Sequence, residues 1–186
     1  MTMNKILLIL LTSLTAVNAG ATVYLDNPGP PEEGDLVLKS TDQHTFSYIF
    51  EEDYSGIVNI GVSNEGDTGV ISILDVFSIF DPSLHLNSDA EMDTSNYVNS
   101  NFENGTTGEI FGFEFNALAG EALEFDWVFS SFDYAVFNDF AFVEISGLDY
   151  QVLAEVSGSE VPVPGAAWLF GSALLGLVSL KRRKNS

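Results

Sequence analysis

The chain has 186 residues, no cysteine, two histidines and a formal net charge of −21 at neutral pH. The lack of cysteine excludes disulfides, thiol nucleophiles and thiolate metal sites, and two isolated histidines argue against a zinc site. A surface of this charge repels nucleic acid and anionic lipid, so we expect no nucleic-acid partner.

The amino terminus has the layout of a secretory signal peptide. Lys5 precedes an apolar run from Ile6 to Leu11, and small and polar residues follow. The run is far too short to span a membrane, which argues against an uncleaved anchor. We therefore predict a helical signal peptide over residues 1–21, cleaved by signal peptidase after Ala19 or Ala21.

Residues 22–156 show the period-two alternation of apolar and polar residues that is typical of β-strands. Strands are predicted at Thr22 to Leu25, Thr45 to Phe50, Ile57 to Ser63, Val70 to Phe80, Ile110 to Phe115, Leu123 to Phe129, Asp139 to Ile145 and Gln151 to Val156. Residues 87–104 are polar and without periodicity, which indicates a long loop. We predict one all-β domain of eight or nine strands, an antiparallel β-sandwich of the jelly-roll kind.

The charge of this body differs from that of the whole chain. All 27 Asp and Glu lie between Asp26 and Glu160, and Lys39 is the one Lys or Arg among them, so the exported part of the chain, body and linker together, carries one base against 27 acids, or about −26. Such a surface attracts cations, and bound metal ions would offset its self-repulsion. Acidity that only keeps a secreted protein soluble explains the composition equally well.

A loop between two predicted strands gathers three oxygen-bearing side chains, Asp133, Asn138 and Asp139. Hard oxygen donors at a strand junction suit Ca²⁺, with backbone carbonyls and water completing six to eight ligands. We therefore predict a calcium site there. The alternative is that Asn138 and Asp139 are turn residues that close a hairpin through local backbone hydrogen bonds.

Signals of catalysis are few. No Gly-x-Ser-x-Gly motif occurs, and the many acids offer carboxylate pairs without any one pair standing out. Exposed aromatic residues beside carboxylates would suit sugars, although the alternation of its strand places Trp127 in the core. We predict a protein without catalytic residues; the alternatives are a polysaccharide-modifying hydrolase that uses two carboxylates, and an envelope scaffold without a ligand.

The carboxyl terminus has three parts. A linker over residues 157–164 ends in Val161, Pro162, Val163 and Pro164, and an uncharged apolar segment follows over residues 165–180. As a helix its 16 residues extend about 24 Å against a hydrocarbon core of about 30 Å, which predicts a short single transmembrane helix. Residues 181–186 contain the basic block Lys181, Arg182, Arg183 and Lys184, which would hold that end in the cytoplasm.

This ending resembles the PEP-CTERM sorting signal of Gram-negative bacteria, with Val163 where the motif after which it is named has Glu. The resemblance implies processing at the proline motif by an exosortase, a membrane transpeptidase. It also implies a transient stay in the inner membrane, transfer to the cell surface or the extracellular matrix, and an association with exopolysaccharide and biofilm.

A second resemblance covers about twenty residues from Leu123 to Val143. There a Phe-x-Trp-x-Phe strand leads through an acidic loop to Phe-Asn-Asp-x-Ala-x-Val, a pattern similar to one in exported adhesin-like β-sandwich domains of bacteria. It implies the same sandwich fold, and it carries no biochemical activity that can be assigned to this chain.

Overall fold

The computed structural model describes residues 21–26, 38–65, 70–133 and 137–157. Residues 1–20 of the predicted signal peptide, the sorting motif, the transmembrane segment and the basic block all lie outside these ranges. The described residues form strands, turns and loops without any helix, and they include no helix that would cross a membrane.

Eleven strands occur in the described ranges. In chain order they are β1 (Val23–Asp26), β2 (Lys39–Ser40), β3 (His44–Ile49), β4 (Tyr54–Ser63), β5 (Ser72–Phe77), β6 (Leu84–Asn87), β7 (Met92–Asp93), β8 (Thr107–Ala117), β9 (Ala122–Ser131), β10 (Phe140–Ile145) and β11 (Asp149–Ser157). All eight predicted strands are present, and the three further strands that raise the count are β2, β6 and β7, each of four residues or fewer.

The strands form two sheets. The six-stranded sheet has the order β1-β11-β10-β4-β8-β7, and the five-stranded sheet has the order β2-β9-β5-β6 with β3 also paired to β9. One hydrophobic core contains residues of both sheets, such as Val58 and Val143 from the first and Leu74 and Phe129 from the second. The all-β, two-sheet prediction is therefore confirmed, and the arrangement is consistent with a β-sandwich.

One pair departs from the antiparallel prediction, because β1 runs parallel to β11, with Val23 opposite Ala154. These two strands come from the opposite ends of the domain. No short turn joins them, so nothing forces the antiparallel pairing that a hairpin imposes.

Strand β9 shows how the alternation builds the core. Leu123, Phe125, Trp127 and Phe129 are all at most 3% exposed, as the sequence predicts. On β8 the predicted face is only half-buried, and there Phe80 packs edge-on against Phe111 and Phe113 at centroid distances of 5.2 and 5.3 Å. The loop that precedes β6 thus completes the cover over β8.

The long polar loop predicted over residues 87–104 is present, interrupted by β7, and its second half lies on the outer face of the six-stranded sheet. We call residues 94–106 the covering loop. Tyr97 stacks on Phe142 with their ring centroids 4.1 Å apart, and the Tyr150 hydroxyl donates to the Val98 carbonyl at 2.6 Å. A second, smaller core of Phe140, Phe142 and Val152 forms beneath the loop. The sequence did not predict this core, because its aromatic partner Tyr97 lies in a segment without periodicity.

Candidate functional site

The predicted calcium loop connects the two sheets at one end of the sandwich. Asp133 comes two residues after β9 of the five-stranded sheet, and Asp139 directly precedes β10 of the six-stranded sheet. Both side chains are fully buried. Because β9 and β10 belong to different sheets, the loop closes no hairpin, and the hairpin-turn alternative for Asn138 and Asp139 is wrong.

Asp139 is held by groups from three other parts of the chain. Its Oδ1 accepts a hydrogen bond from the Glu65 backbone N–H at 3.0 Å, and its Oδ2 accepts one from the Ser88 hydroxyl at 3.3 Å. Its carbonyl accepts from the Val156 N–H at 2.9 Å. These bonds fix the carboxylate at the junction of β4, β10 and the segment after β6.

Three buried serines extend this network into the five-stranded sheet. Ser88 Oγ accepts from the Ser72 N–H at 2.9 Å, and the Ser72 hydroxyl donates to Ser131 Oγ at 2.7 Å. Ser131 Oγ also accepts from the Asp133 N–H at 2.8 Å. A continuous chain of hydrogen bonds therefore joins Asp139 to the backbone of Asp133 across both sheets.

The sixth member is Asn64, which directly follows β4 and is 2% exposed. Its backbone N–H donates to the Thr107 carbonyl at 2.8 Å, and its own carbonyl accepts from the Thr106 N–H at 2.9 Å. Within the described part of the chain, no donor pairs with its buried side-chain oxygen Oδ1. We call Asn64, Ser72, Ser88, Ser131, Asp133 and Asp139 the polar cluster.

The sequence analysis missed four of these six residues, although a signal exists for two of them. Ser131 continues the buried alternation of Phe129 on β9, and Ser72 begins the buried alternation of Leu74 on β5. Polar residues in phase with a buried apolar series are unusual, because a buried hydroxyl needs a hydrogen-bond partner. Two such serines on paired strands would have indicated a polar region inside the core.

Asn138, the third predicted calcium ligand, donates its hydrogen bonds to two glutamates outside the polar cluster. Its side-chain Nδ2 donates to Glu103 in the covering loop at 3.3 Å, and its backbone N–H donates to Glu65 Oε2 at 3.1 Å. Asn138 is half-buried, whereas Asp133 and Asp139 are fully buried. The network described above therefore includes the two aspartates, and the Asn138 amide points toward Glu103. Calcium binding stays a prediction.

The pKa of Glu65 is raised above the usual glutamate value. Burial of the carboxyl is the main cause, and the charges of Glu103 and Glu155 raise the pKa further. Hydrogen bonds from Asn138 act in the opposite direction because they favour the ionised form. Negative charge is thus concentrated where the covering loop meets the end of β4.

Within residues 21–26, 38–65, 70–133 and 137–157, no three His, Cys, Asp or Glu side chains are grouped so that they could hold a metal ion. The polar cluster contains two carboxylates, and its other oxygen donors are an amide and three hydroxyls. Such a ligand set belongs to the hard oxygen type that Ca²⁺ and Mg²⁺ accept.

An open cleft of about 250 Å³ lies around the turn between β3 and β4. Its lining combines aromatic and apolar side chains with three consecutive acids: Tyr48, Phe50, Glu51, Glu52, Asp53, Tyr54 and Leu148. The rings of Phe50 and Tyr54 are stacked at 4.9 Å, and Asp53 Oδ1 accepts from the Ala119 N–H at 3.0 Å. The pKa of the Tyr48 hydroxyl is raised, first by burial and then by the charges of Asp149 and Glu51. The cleft offers rings for stacking and carboxylates as hydrogen-bond acceptors.

Comparisons of this chain with protein-family models, with curated proteins and with solved structures find no match.

Proposed function

We propose that this chain is a noncatalytic surface or extracellular-matrix protein of a Gram-negative bacterium, exported and then sorted by an exosortase through a PEP-CTERM signal. The observation that carries the proposal is the order of the carboxyl-terminal segments, with Val161, Pro162, Val163 and Pro164 before an apolar segment and the block Lys181 to Lys184. The signal helix and the short transmembrane helix would hold the protein transiently in the inner membrane. The body between them would be a jelly-roll-like sandwich.

In the envelope or the matrix, this body would associate with exopolysaccharide or with neighbouring matrix proteins. Support comes from the cleft beside β3, where Tyr48 and Tyr54 lie next to Glu51, Glu52 and Asp53. Sugars bind to surfaces that combine an apolar ring face with hydrogen-bond acceptors, and this cleft has both. Ca²⁺ would contribute through the loop of Asp133, Asn138 and Asp139.

The same cleft favours the second candidate, a polysaccharide-modifying hydrolase, because paired carboxylates are what glycosidases use. An assay against the host's own exopolysaccharide separates the two. Binding without released sugars is expected; release that is lost in Glu51→Gln, Glu52→Gln or Asp53→Asn would favour the hydrolase. Neither binding nor release would favour the third candidate, an envelope scaffold without a ligand.

The sorting proposal is tested by mass spectrometry of the protein released from host cells. We expect a mature form that has lost residues 165–186 and the signal peptide. Replacing Pro162 and Pro164 with alanine should leave the protein at full length in the inner membrane. Ser159→Ala, two residues before the motif, is the control and should be processed normally. A released form that retains Trp168 to Lys184 would contradict the proposal.

A further inference from the structure

We propose that Asn64, Asp133 and Asp139 bind one Ca²⁺ ion inside the sandwich, where the ion joins the two sheets at the end at which the chain crosses between them. Of the proposed function, this proposal requires only that the protein is exported from the cytoplasm to a place where calcium is abundant. It changes both the ligand set and the role predicted from the sequence. The ion would be an internal structural ligand, with Asn64 in the place of Asn138.

The first argument is the unpaired oxygen of Asn64. Val58, Ile60 and Val62 of β4 point into the core between the sheets, and Asn64 continues their alternation. Ser63 points to the opposite face, where its hydroxyl lies 2.7 Å from the Thr94 hydroxyl of the covering loop. The Asn64 side chain therefore lies between the sheets, and burying an amide oxygen there without a partner is costly. A bound cation would remove that cost.

The second argument places Asp139 beside Asn64. Phe140 pairs with Ser63, so Asp139 and Asn64 are the next residues at the end of the same two strands. The hydrogen bond from the Glu65 N–H to Asp139 Oδ1, 3.0 Å long, confirms this proximity. Asp139 and Asn64 thus present a carboxylate and an amide oxygen on the same inner side of the six-stranded sheet.

The third argument is the charge of the buried groups. Asp133 and Asp139 are both fully buried at this end of the domain, and a buried carboxylate costs free energy that nearby positive charge lowers. A divalent cation that contacts both carboxylates would lower this cost in a water-poor interior.

The serines of the cluster would act as positioning residues. Ser88 donates to the Asp139 carboxylate, Ser131 accepts from the Asp133 backbone N–H, and Ser72 links these two serines. Calcium accepts irregular sets of six to eight oxygens, which backbone carbonyls and water would complete, whereas Mg²⁺ demands a near-ideal octahedron. We therefore expect a preference for Ca²⁺.

The test uses the full chain, purified in detergent and stripped with EDTA, with CaCl₂ as the probe. Isothermal titration at constant ionic strength should show one Ca²⁺ per chain, with a Kd of about 10⁻⁴ to 10⁻³ M or tighter. Saturating calcium should raise Tm by about 5 °C, and MgCl₂ should raise it less. Asp133→Asn and Asp139→Asn should each weaken binding at least tenfold. Asn64→Ala should lower Tm more in calcium than in EDTA.

Two controls separate this site from general attraction to a polyanion. Glu124→Gln removes an exposed charge on β9, where Ser47 donates to it at 2.9 Å, and it should bind calcium as the wild type does. Asn138→Ala tests the ligand set predicted from the sequence and should also retain binding. If an aspartate variant fails to fold, as judged by circular dichroism, Asn64→Ala carries the test alone.

The proposal is overturned if no saturable binding occurs, if Glu124→Gln loses as much affinity as Asp139→Asn, or if Asn64→Ala binds calcium normally. Loss of binding in Asn138→Ala but not in Asn64→Ala would restore the original ligand set. Because sorting is measured separately by the mass of the released protein, failure of either proposal leaves the other to be judged by its own experiment.

Discussion

Glu65 lies between the polar cluster and the covering loop and takes part in both. Its backbone N–H donates to Asp139, and its carboxylate accepts from the Asn138 N–H. Glu103 and Glu155 are close enough to raise its pKa further than burial does alone. A single residue thus couples the negative charge on the outer face of the sheet to the geometry of the buried aspartate.

The raised pKa of Glu65 predicts how stability depends on pH. A carboxyl whose pKa is higher in the folded state stabilises the fold below the unfolded value of about 4.3, and this stabilisation is lost as pH rises through the folded value. Glu65→Gln removes the charge but keeps an oxygen that accepts from Asn138. We therefore expect Glu65→Gln to have a higher Tm than the wild type at pH 7 and a smaller advantage below pH 4, as measured by circular dichroism melts.

The exposed variant Glu124→Gln is the matched control, since it removes the same charge at a distance from Glu65. It should not reproduce the pH dependence. A Tm at pH 7 that is lower in Glu65→Gln than in the wild type would show that the ionised carboxylate stabilises the fold.

At the scale of elements, the covering loop is attached to the six-stranded sheet mainly by side chains of the sheet. The Tyr150 hydroxyl donates to the Val98 carbonyl and accepts from the Val98 N–H at 3.2 Å. Glu155 accepts from the backbone N–H and the hydroxyl of Ser100, and Glu144 accepts from the Tyr97 hydroxyl. A loop without periodicity is thereby given a defined position on a strand face that would otherwise expose Phe142.

Tyr150→Phe should detach this loop while leaving the main core intact. The change leaves both backbone groups of Val98 without their partner, which should lower the free energy of unfolding by about 1–3 kcal/mol. Hydrogen exchange should accelerate at the amides of residues 94–106 and stay unchanged in β4. The measurements are urea denaturation and hydrogen exchange followed by mass spectrometry.

Tyr24→Phe is the control on the same loop, because the Tyr24 hydroxyl makes only a long, exposed contact with Ser100, 3.4 Å. It should change stability by less than about 0.5 kcal/mol. Equal effects of the two variants would mean that the Tyr150 hydroxyl does not fix the loop.

At the scale of the whole molecule, the repulsion between acidic side chains opposes the stability that the hydrophobic core provides. An exported part of about −26 repels itself, and one lysine provides almost no compensation. The zero-disulfide core must therefore maintain the fold against this repulsion without covalent help. Screening by salt acts over a Debye length of about 10 Å at 0.1 M and shorter lengths above that.

We therefore expect Tm of the full chain, kept in EDTA, to rise by several degrees between about 0.02 and 0.5 M NaCl, as measured by scanning calorimetry. The rise should be gradual, in contrast to the saturable effect expected of calcium at constant ionic strength. A constant Tm over this range would show that the acids are spaced so that their repulsion has little effect on the fold.

The sequence by itself determined the β class, the strands with strict alternation and the acidity of the body, because each depends on the period of a local pattern or on simple composition. It also indicated Asp133 and Asp139 as possible ligands, since both lie in one short loop. The proposed destination of the protein likewise rests on the sequence alone, through the resemblance of its last residues to a sorting signal.

Only the tertiary structure decided that the loop from β9 to β10 crosses between sheets, because strand pairing depends on contacts that are distant in sequence. That crossing brings Asn64 and Ser88 into one buried cluster with Asp139, although they are 75 and 51 residues away from it in the sequence. Asn64 lies beside Asp139 by strand adjacency, and Ser88 contacts Asp139 by a hydrogen bond.

 The same long-range pairing turns Asn138 toward Glu103 and places the polar loop over Phe142. A linear pattern reports which face of a strand is buried, but which distant side chains share that interior is settled only when the sheets pack together.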